Sequence, residues 1–139
     1  MTIDLNRMSF LYVEDDEFSR DIMTMMFVRF LEAPNLYVFN DSSNFVERVK
    51  ALPIKPSLIM LDIHMKPNSG FALLENLRSQ PDFMTTPIVA VTASVMNEEV
   101  NKLHRAGFDG AIGKPIDAVV FPNLLMRLLN GEKVWHVIN

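Results

Sequence analysis

The sequence contains no cysteine among its 139 residues. This absence excludes disulfides, thiolate metal sites and a cysteine nucleophile, and it fits the reducing cytoplasm, where we expect the protein to reside. The net charge is -4, so an extended nucleic-acid surface has no general electrostatic support. No apolar run approaches the roughly 18 residues of a membrane span, and the N-terminus lacks the pattern of a secretory signal. We therefore expect no membrane insertion and no direct contact with nucleic acid.

The chain is long enough, and with 49% hydrophobic residues apolar enough, to form one domain over residues 1–139 with a real core. Short apolar runs alternate with longer segments of helical period. Most of the runs are continuous rather than alternating, which is typical of strands buried on both faces of a parallel sheet. The five predicted strands are Met8 to Val13, Leu36 to Phe39, Leu58 to Leu61, Ile88 to Val91 and Phe108 to Ile112.

The segments between these runs are long enough for crossover helices. Predicted helices cover about 17–31, about 42–52 with Asp41 or Ser42 as N-cap, the residues after Gly70, about 97–106 ended by Gly107, and a last segment that begins at Pro122. The alternation predicts an α/β fold of (βα)5 type with right-handed crossovers and a core at about 8–129. Apolar residues in the 130–139 tail predict that it docks on the domain; they are Val134, Trp135, Val137 and Ile138.

Polar residues stand at the ends of four of the predicted strands. Glu14, Asp15 and Asp16 follow the first strand, and Asp62 follows the third. Thr92 ends the fourth, and Lys114 comes after the fifth. In open α/β sheets, ligands bind at the carboxyl edge of the strands. If the first and third strands are neighbours, the carboxylates converge there. Asp16 is better explained as a helix cap than as a ligand.

Three carboxylates in one pocket repel each other, so such a cluster needs a cation or raised pKa values. All-oxygen ligands favour a hard cation, with Mg²⁺ as the first candidate and Mn²⁺ as an alternative ion. Lys114 supplies a mobile positive charge, and the Thr92 hydroxyl can donate a hydrogen bond to a phosphoryl oxygen. A carboxylate nucleophile, a divalent metal, a lysine and a hydroxyl together indicate phosphoryl transfer.

Taken in order, these residues resemble the receiver domains of two-component response regulators. The resemblance covers about Met8 to Leu129. It rests on Phe-Leu-Tyr-Val-Glu-Asp-Asp at 10–16, Leu-Asp-Ile-His-Met at 61–65, Gly70, Pro-Ile-Val-Ala-Val-Thr-Ala at 87–93, Gly107, and Lys-Pro at 114–115. It implies a flavodoxin-like, doubly wound fold with a five-stranded parallel sheet in the order 2-1-3-4-5 and helices on both faces.

The resemblance also implies residue roles. Asp62 would be the phosphoacceptor, with Thr92 and Lys114 as the groups that engage the phosphoryl oxygens. Glu14, Asp15, Asp62 and the backbone carbonyl of His64 would hold Mg²⁺, with Asp15 as the direct ligand of the acidic pair and Glu14 acting through water. Ala93 would keep the pocket open, and the Lys114–Pro115 bond would be cis. The His64 side chain is expected at the pocket rim.

The implied function is a phosphorelay switch. A histidine kinase or histidine phosphotransfer protein would phosphorylate Asp62, and an unknown downstream protein would respond. The chain would catalyse only its own phosphorylation and dephosphorylation. Two departures stand out: Met65-Lys66-Pro67 places a proline one position late, and Ala111 stands where many members carry Tyr or Phe. The methionine start and the short tail favour a stand-alone receiver with no output domain.

Three alternatives stay open. Ala111 motivates a degenerate receiver that serves only as a binding module with atypical output. An aspartate-nucleophile phosphatase would need an acid two residues after Asp62, where His64 stands. A flavin carrier fits the topology, but Glu14, Asp15 and Asp16 would repel a flavin phosphate.

Overall fold

The computed structural model describes residues 3–93 and 96–136. Its centre is a six-stranded sheet in the order β2-β1-β3-β4-β5-β6, in which all neighbouring strands are parallel. The strands are β1 Phe10–Val13, β2 Leu36–Phe39, β3 Leu58–Asp62, β4 Ile88–Thr92, β5 Gly110–Gly113 and β6 Val134–His136. The predicted parallel α/β fold and the order of its first five strands are confirmed.

The predicted count of five strands is wrong, because the tail adds β6 to the free edge of β5. Val134 lies opposite Gly110 and is buried, and Trp135 lies opposite Ala111. The expectation that the tail docks is thus met over 134–136, whereas Val137 and Ile138 lie outside the described residues. Three residues are too few to show a strand period in the sequence, so only their apolar character indicated burial.

In the described part of the chain, five α-helices cover the two faces of the sheet. They are α1 Glu17–Met25, α2 Phe45–Lys50, α3 Gly70–Arg78, α4 Asn97–Ala106 and α5 Phe121–Leu129. Residues of α2, α3 and α4 form one apolar core with one face of the sheet, and residues of α1 and α5 form a second core with the other face. Strands β1, β3 and β4 are buried throughout between these layers, which explains their continuous apolar runs.

Two helix boundaries differ from the predicted ones. The helix that begins at Glu17 changes after Met25 to a π-helical turn, Met26–Phe30. The second helix begins at Phe45, later than predicted, because Asp41 and Ser42 are engaged elsewhere. Asp41 accepts hydrogen bonds from Ser43 and Arg48, and the buried Ser42 hydroxyl accepts one from the Asn68 backbone N–H at 2.8 Å.

Asp16 caps α1, as predicted, since its carboxylate accepts a hydrogen bond from the Ser19 backbone N–H. Gly107 ends α4 with a φ of 98°, a left-handed conformation that glycine adopts without a steric penalty. Across the described residues, no helix combines the length and apolar character that a membrane span requires.

Candidate functional site

The sheet brings the chemically important side chains to its carboxyl edge. Val13, the residue before Glu14, pairs with Leu61, the residue before Asp62, so Glu14 and Asp62 leave adjacent strands at the same level. Thr92 is the last residue of β4. Lys114 follows β5, and its backbone N–H donates to the Thr92 carbonyl at 2.9 Å. Register alone therefore places these four residues side by side.

Glu14 is fully buried, and both of its carboxylate oxygens accept hydrogen bonds. The Tyr12 hydroxyl donates to Oε1 at 2.6 Å, and Lys114 Nζ lies 2.5 Å from the same oxygen. The Asp16 backbone N–H donates to Oε2 at 3.3 Å. Burial by itself would raise the pKa of Glu14, but hydrogen bonds from Asp62, Lys114 and Tyr12 outweigh it, and the pKa is lowered. Glu14 is therefore an anion inside the protein.

Asp62 has the opposite electrostatic character. It is 6% exposed at the end of β3, and Lys114 Nζ lies 3.4 Å from its Oδ1. Burial, followed by the hydrogen bond and the charge of Glu14, raises the pKa of Asp62 to about 7. Without a metal ion, the carboxyl group of Asp62 is therefore partly protonated near neutral pH, whereas Glu14 carries the negative charge.

Lys114 links the two carboxyl groups. Burial would lower the pKa of its ammonium, but the hydrogen bond to Glu14 and the charges of Asp62 and Glu14 raise it. The ammonium is therefore cationic beside Asp62. The bond from Lys114 to Pro115 is cis, as the resemblance implied, and Lys66–Pro67 is cis as well.

The acidic residues fit a divalent cation. One carboxylate oxygen from each of Glu14, Asp15 and Asp62 lies within 4.8 Å of the others. Asp15 is exposed and opens the cluster to solvent, whereas Glu14 and Asp62 are buried. This all-oxygen donor set suits Mg²⁺. His64 stands two residues beyond Asp62 with an exposed side chain, and the metal role of its carbonyl stays a prediction.

Beside the acidic cluster lies a largely apolar cavity of about 230 Å³. Lys114 and Ala93 line it on the side of the site, and Phe18, Ile22 and Ile116 line it on the side of α1 and the residues after β5. Phe18 is 70% exposed, which is unusual for so large an apolar side chain. The apolar surface of this cavity thus adjoins Lys114, the lysine that contacts Asp62.

Gly70 shapes the loop that follows Asp62. A Cβ atom at this position would lie 2.5 Å from the Asp62 carbonyl oxygen and 2.9 Å from the Ile63 side chain. The Gly70 backbone N–H donates to the Ile63 carbonyl at 3.0 Å, which closes the loop against β3. Only glycine allows α3 to begin this close to the strand that carries Asp62.

The residue-level reasoning from the sequence missed Tyr12 and Phe18. Tyr12 lies within an apolar run, which predicts a strand but no hydrogen-bond partner for its hydroxyl. Its spacing from Glu14 carried the missing signal, because side chains two residues apart on a strand point to the same face. Phe18 is 70% exposed, and nothing in the helical period of the sequence distinguishes it from a core residue.

Tyr12→Phe should lower the free energy of unfolding by about 1–3 kcal/mol, because it removes a donor from a fully buried carboxylate. Urea unfolding of the metal-free protein measures this loss. Tyr37→Phe, at the other tyrosine of the chain, is the matched control and should change stability by less. Equal losses in the two variants would show that the hydroxyl of Tyr12 contributes nothing through Glu14.

Comparisons with known proteins agree with this fold. A family model described as the response regulator receiver domain matches residues 10–125. The signal transduction histidine-protein kinase BarA of Escherichia coli K12 is 36% identical over 89 residues, which cover 64% of this chain and 10% of that protein. The chain thus spans about one tenth of the length of that relative.

Solved structures show the same fold. The signal receiver domain of a histidine kinase from Syntrophus aciditrophicus has a TM-score of 0.73 and 27% identity, over 88% of this chain and 90% of that one. The receiver domain of sensor histidine kinase PA1611 from Pseudomonas aeruginosa has a TM-score of 0.77 and 20% identity, over 88% and 98%. The latter contains a magnesium ion coordinated in its active-site cleft.

Proposed function

The chain belongs to the response regulator receiver family of two-component signalling, whose members pair with histidine kinases, and from this premise we propose that Asp62 accepts a phosphoryl group. The donor would be a histidine kinase or a histidine phosphotransfer protein. One observation carries the proposal. Asp62 stands at the carboxyl edge of the sheet, with a carboxylate oxygen of Glu14 and one of Asp15 within 4.8 Å of its own and Lys114 Nζ at 3.4 Å.

Glu14, Asp15 and Asp62 are the residues that would hold Mg²⁺, with the His64 carbonyl as the ligand that the family resemblance adds. The bound ion would offset the carboxylate charge and the negative charge of the phosphoryl oxygens. The acidic cluster and the magnesium in the receiver domain of PA1611 support this choice. Nothing in the comparisons supports Mn²⁺.

In the proposed transfer, a carboxylate oxygen of Asp62 attacks the phosphorus of a phosphohistidine. The new O–P bond forms as the P–N bond breaks, and the electron pair of that bond stays on the departing imidazole. The Lys114 ammonium is already beside Asp62 and can donate to a phosphoryl oxygen without a large movement. The Thr92 hydroxyl, at the end of the next strand, can donate to another.

Hydrolysis of the acyl phosphate by water would return Asp62 to its carboxylate and release phosphate. The chain would therefore be a switch rather than a turnover enzyme, because the only groups it converts are its own. A downstream protein would read the phosphorylated and unphosphorylated surfaces. We also place this cycle in the cytoplasm, since the ATP that charges a histidine kinase is found there; cell fractionation tests the location.

The apolar surface next to Lys114 suits the docking of the donor. The transferred phosphoryl group must reach Asp62 at the carboxyl edge, so the donor must cover the rim that Phe18 and Ile116 form there. Exposed Met25 and Val28 extend this apolar surface along the helix that begins at Glu17. Phe18→Ala should slow transfer from a histidine donor at least tenfold, because apolar anchors carry most of the affinity of an interface. Phosphorylation by a small acyl phosphate, which needs no docking surface, should be unchanged.

The direct test of the function is incubation with Mg²⁺ and a small acyl phosphate, followed by intact-protein mass spectrometry. Wild type should gain one phosphoryl group and lose it on standing, and Asp62→Asn should gain none. Phosphorylation of Asp15→Asn should require much more Mg²⁺ than phosphorylation of wild type. Asp82 is exposed and precedes β4, so Asp82→Asn should behave as wild type. Equal modification of wild type and Asp62→Asn would refute the proposal.

A degenerate receiver that only binds a partner is the second candidate, and one observation favours it. Ala111 is buried in β5 and carries no ring that could move. The intact cluster of Glu14, Asp15 and Asp62 and its lysine weigh against it, because a scaffold needs no metal site. The same experiment decides: a degenerate receiver would show no phosphoryl gain and no dependence on Mg²⁺.

A further inference from the structure

The sixth strand fills a position that the small residues of β5 leave open. Gly110 lies so close to β6 that a Cβ atom there would collide with the Val134 carbonyl oxygen. The next residue, Ala111, is fully buried and carries only a methyl group. Directly across from it stands Trp135. Two small residues of β5 therefore lie where the tail packs against the strand.

Trp135 also contacts α4. Its ring stacks on the ring of His104, with centroids 3.4 Å apart and an angle of 22° between the planes. It is only half-buried, yet it packs against the apolar core that contains Leu103 of α4 and Ala111 of β5. Trp135 thus joins two elements at once, the edge strand of the sheet and the helix that packs beside that strand.

The same helix is linked to the phosphoacceptor site through β4. Thr92 ends β4 and α4 begins at Asn97, so the hydroxyl that would engage the phosphoryl group lies close along the chain to the start of α4. The stacked rings lose their contact when they move apart, because dispersion attraction falls steeply with separation. A small shift of α4 would therefore cost the Trp135 ring one of its two contact surfaces.

The attachment of β6 to β5 and α4 is weak enough to open when α4 shifts. The strand has three residues, and only Val134 is fully buried. The Val134 backbone N–H donates to the Asp109 carbonyl at 3.2 Å, and the remaining hydrogen bonds come from pairing with one neighbour, β5. Short edge elements with few buried contacts open locally at a small fraction of the global unfolding free energy.

We propose that Trp135 is the responding element of this switch: β6 is bound to β5 and α4 while Asp62 is unmodified, and phosphorylation of Asp62 loosens it. The inference rests on the proposed function and adds an output that lies within the chain itself. The released strand would expose the edge of β5 and the surface of α4 around His104, so the downstream partner would meet a surface that β6 covers beforehand.

Trp135 is the only tryptophan of the chain, so its fluorescence reports on β6 without a label. Full-length protein with Mg²⁺ should show a red-shifted Trp135 emission when beryllofluoride, an analogue of the phosphoryl group, is added. Amide hydrogen exchange in the peptide that contains residues 134–136 should accelerate at least fivefold under the same conditions. Asp62→Asn should show neither change.

Two variants test the coupling in reverse, because linkage between two sites is reciprocal. Trp135→Ala removes contacts that exist only with β6 attached, so it should tighten beryllofluoride binding about fivefold or more. Trp135→Phe keeps an aromatic ring against His104 and should stay within about twofold of wild type. His104→Ala, which removes the stacking partner on α4, should accelerate exchange in residues 134–136 before any ligand is added.

Fluorine NMR shows independently whether beryllofluoride binds, so the two proposals fail in different ways. Bound beryllofluoride with unchanged emission and unchanged exchange in residues 134–136 would refute the role of Trp135 and leave the phosphoacceptor function intact. The absence of binding would refute both. If Trp135→Phe tightened beryllofluoride binding as much as Trp135→Ala does, the inference would also be overturned, because the aromatic ring would then not matter.

Discussion

Lys114→Met should lower the free energy of unfolding of the metal-free protein by about 3 kcal/mol or more. Its Nζ lies 2.5 Å from Oε1 of Glu14, whose side chain is fully buried, and 3.4 Å from Asp62. Removing the ammonium leaves the buried Glu14 anion without its cationic partner. Removing one partner of a buried ion pair lowers stability far more than replacing both partners with apolar residues.

Urea unfolding in the presence of a chelator measures the loss, and a double-mutant cycle assigns it. Glu14→Gln combined with Lys114→Met should recover most of the stability that Lys114→Met loses, because no buried charge is then left without a partner. Lys50→Met, at an exposed position of α2, should change stability by less than about 0.5 kcal/mol. If the double variant is as unstable as the sum of its single variants, Glu14 and Lys114 are energetically independent.

The acidic cluster could be located from the sequence because of how parallel sheets are built. Each strand of such a sheet ends at the same edge, so Glu14, Asp62, Thr92 and Lys114 needed only the right strand order to be neighbours. That order was an implication of the family resemblance, since continuous apolar runs carry no information on which strands pair. Asp16 was similarly accessible, because a helix cap depends on residues within one turn.

What the sequence did not reveal depends on contacts between distant segments. Ser42 was a plausible cap until the structure showed its hydroxyl bound to Asn68, which lies 26 residues away. The absence of an aromatic residue at Ala111 was visible in the sequence, but the ring that lies beside it comes from Trp135 on β6. Neither local propensity nor periodicity reports such pairings, because both are properties of single segments.

Tyr12 illustrates a different limit. Within an apolar strand, a tyrosine is usually an amphipathic core residue whose hydroxyl finds some partner. Here that partner is the buried acid of the candidate site, at 2.6 Å. Glu14 is therefore fixed by Tyr12 of the strand that precedes it, whereas Lys114 reaches Asp62 from the end of β5.

The metal-free protein should become less stable as the pH rises from about 4 to about 7, and Asp62 should account for the change. The pKa of Asp62 is raised to about 7, above that of an unfolded aspartate, so the native state holds its proton where the unfolded state has lost it. The free energy of unfolding then falls by up to about 1.4 kcal/mol per pH unit in this window. Glu14, whose pKa is lowered, contributes stability that is lost only at more acidic pH.

Asp62→Asn should abolish the fall, because its amide does not titrate, and it should exceed wild type in stability by about 4 kcal/mol at pH 8. Mg²⁺ binding to wild type should strengthen over the same window, since the cation competes with the proton on Asp62. Urea unfolding at pH 5, 6, 7 and 8 with a chelator, with Asp82→Asn as the control, tests the first effect, and Mg²⁺ titration tests the second. Parallel stability curves for wild type and Asp62→Asn would mean that Asp62 is already ionised at pH 5 and that Lys114, rather than a shared proton, neutralises it.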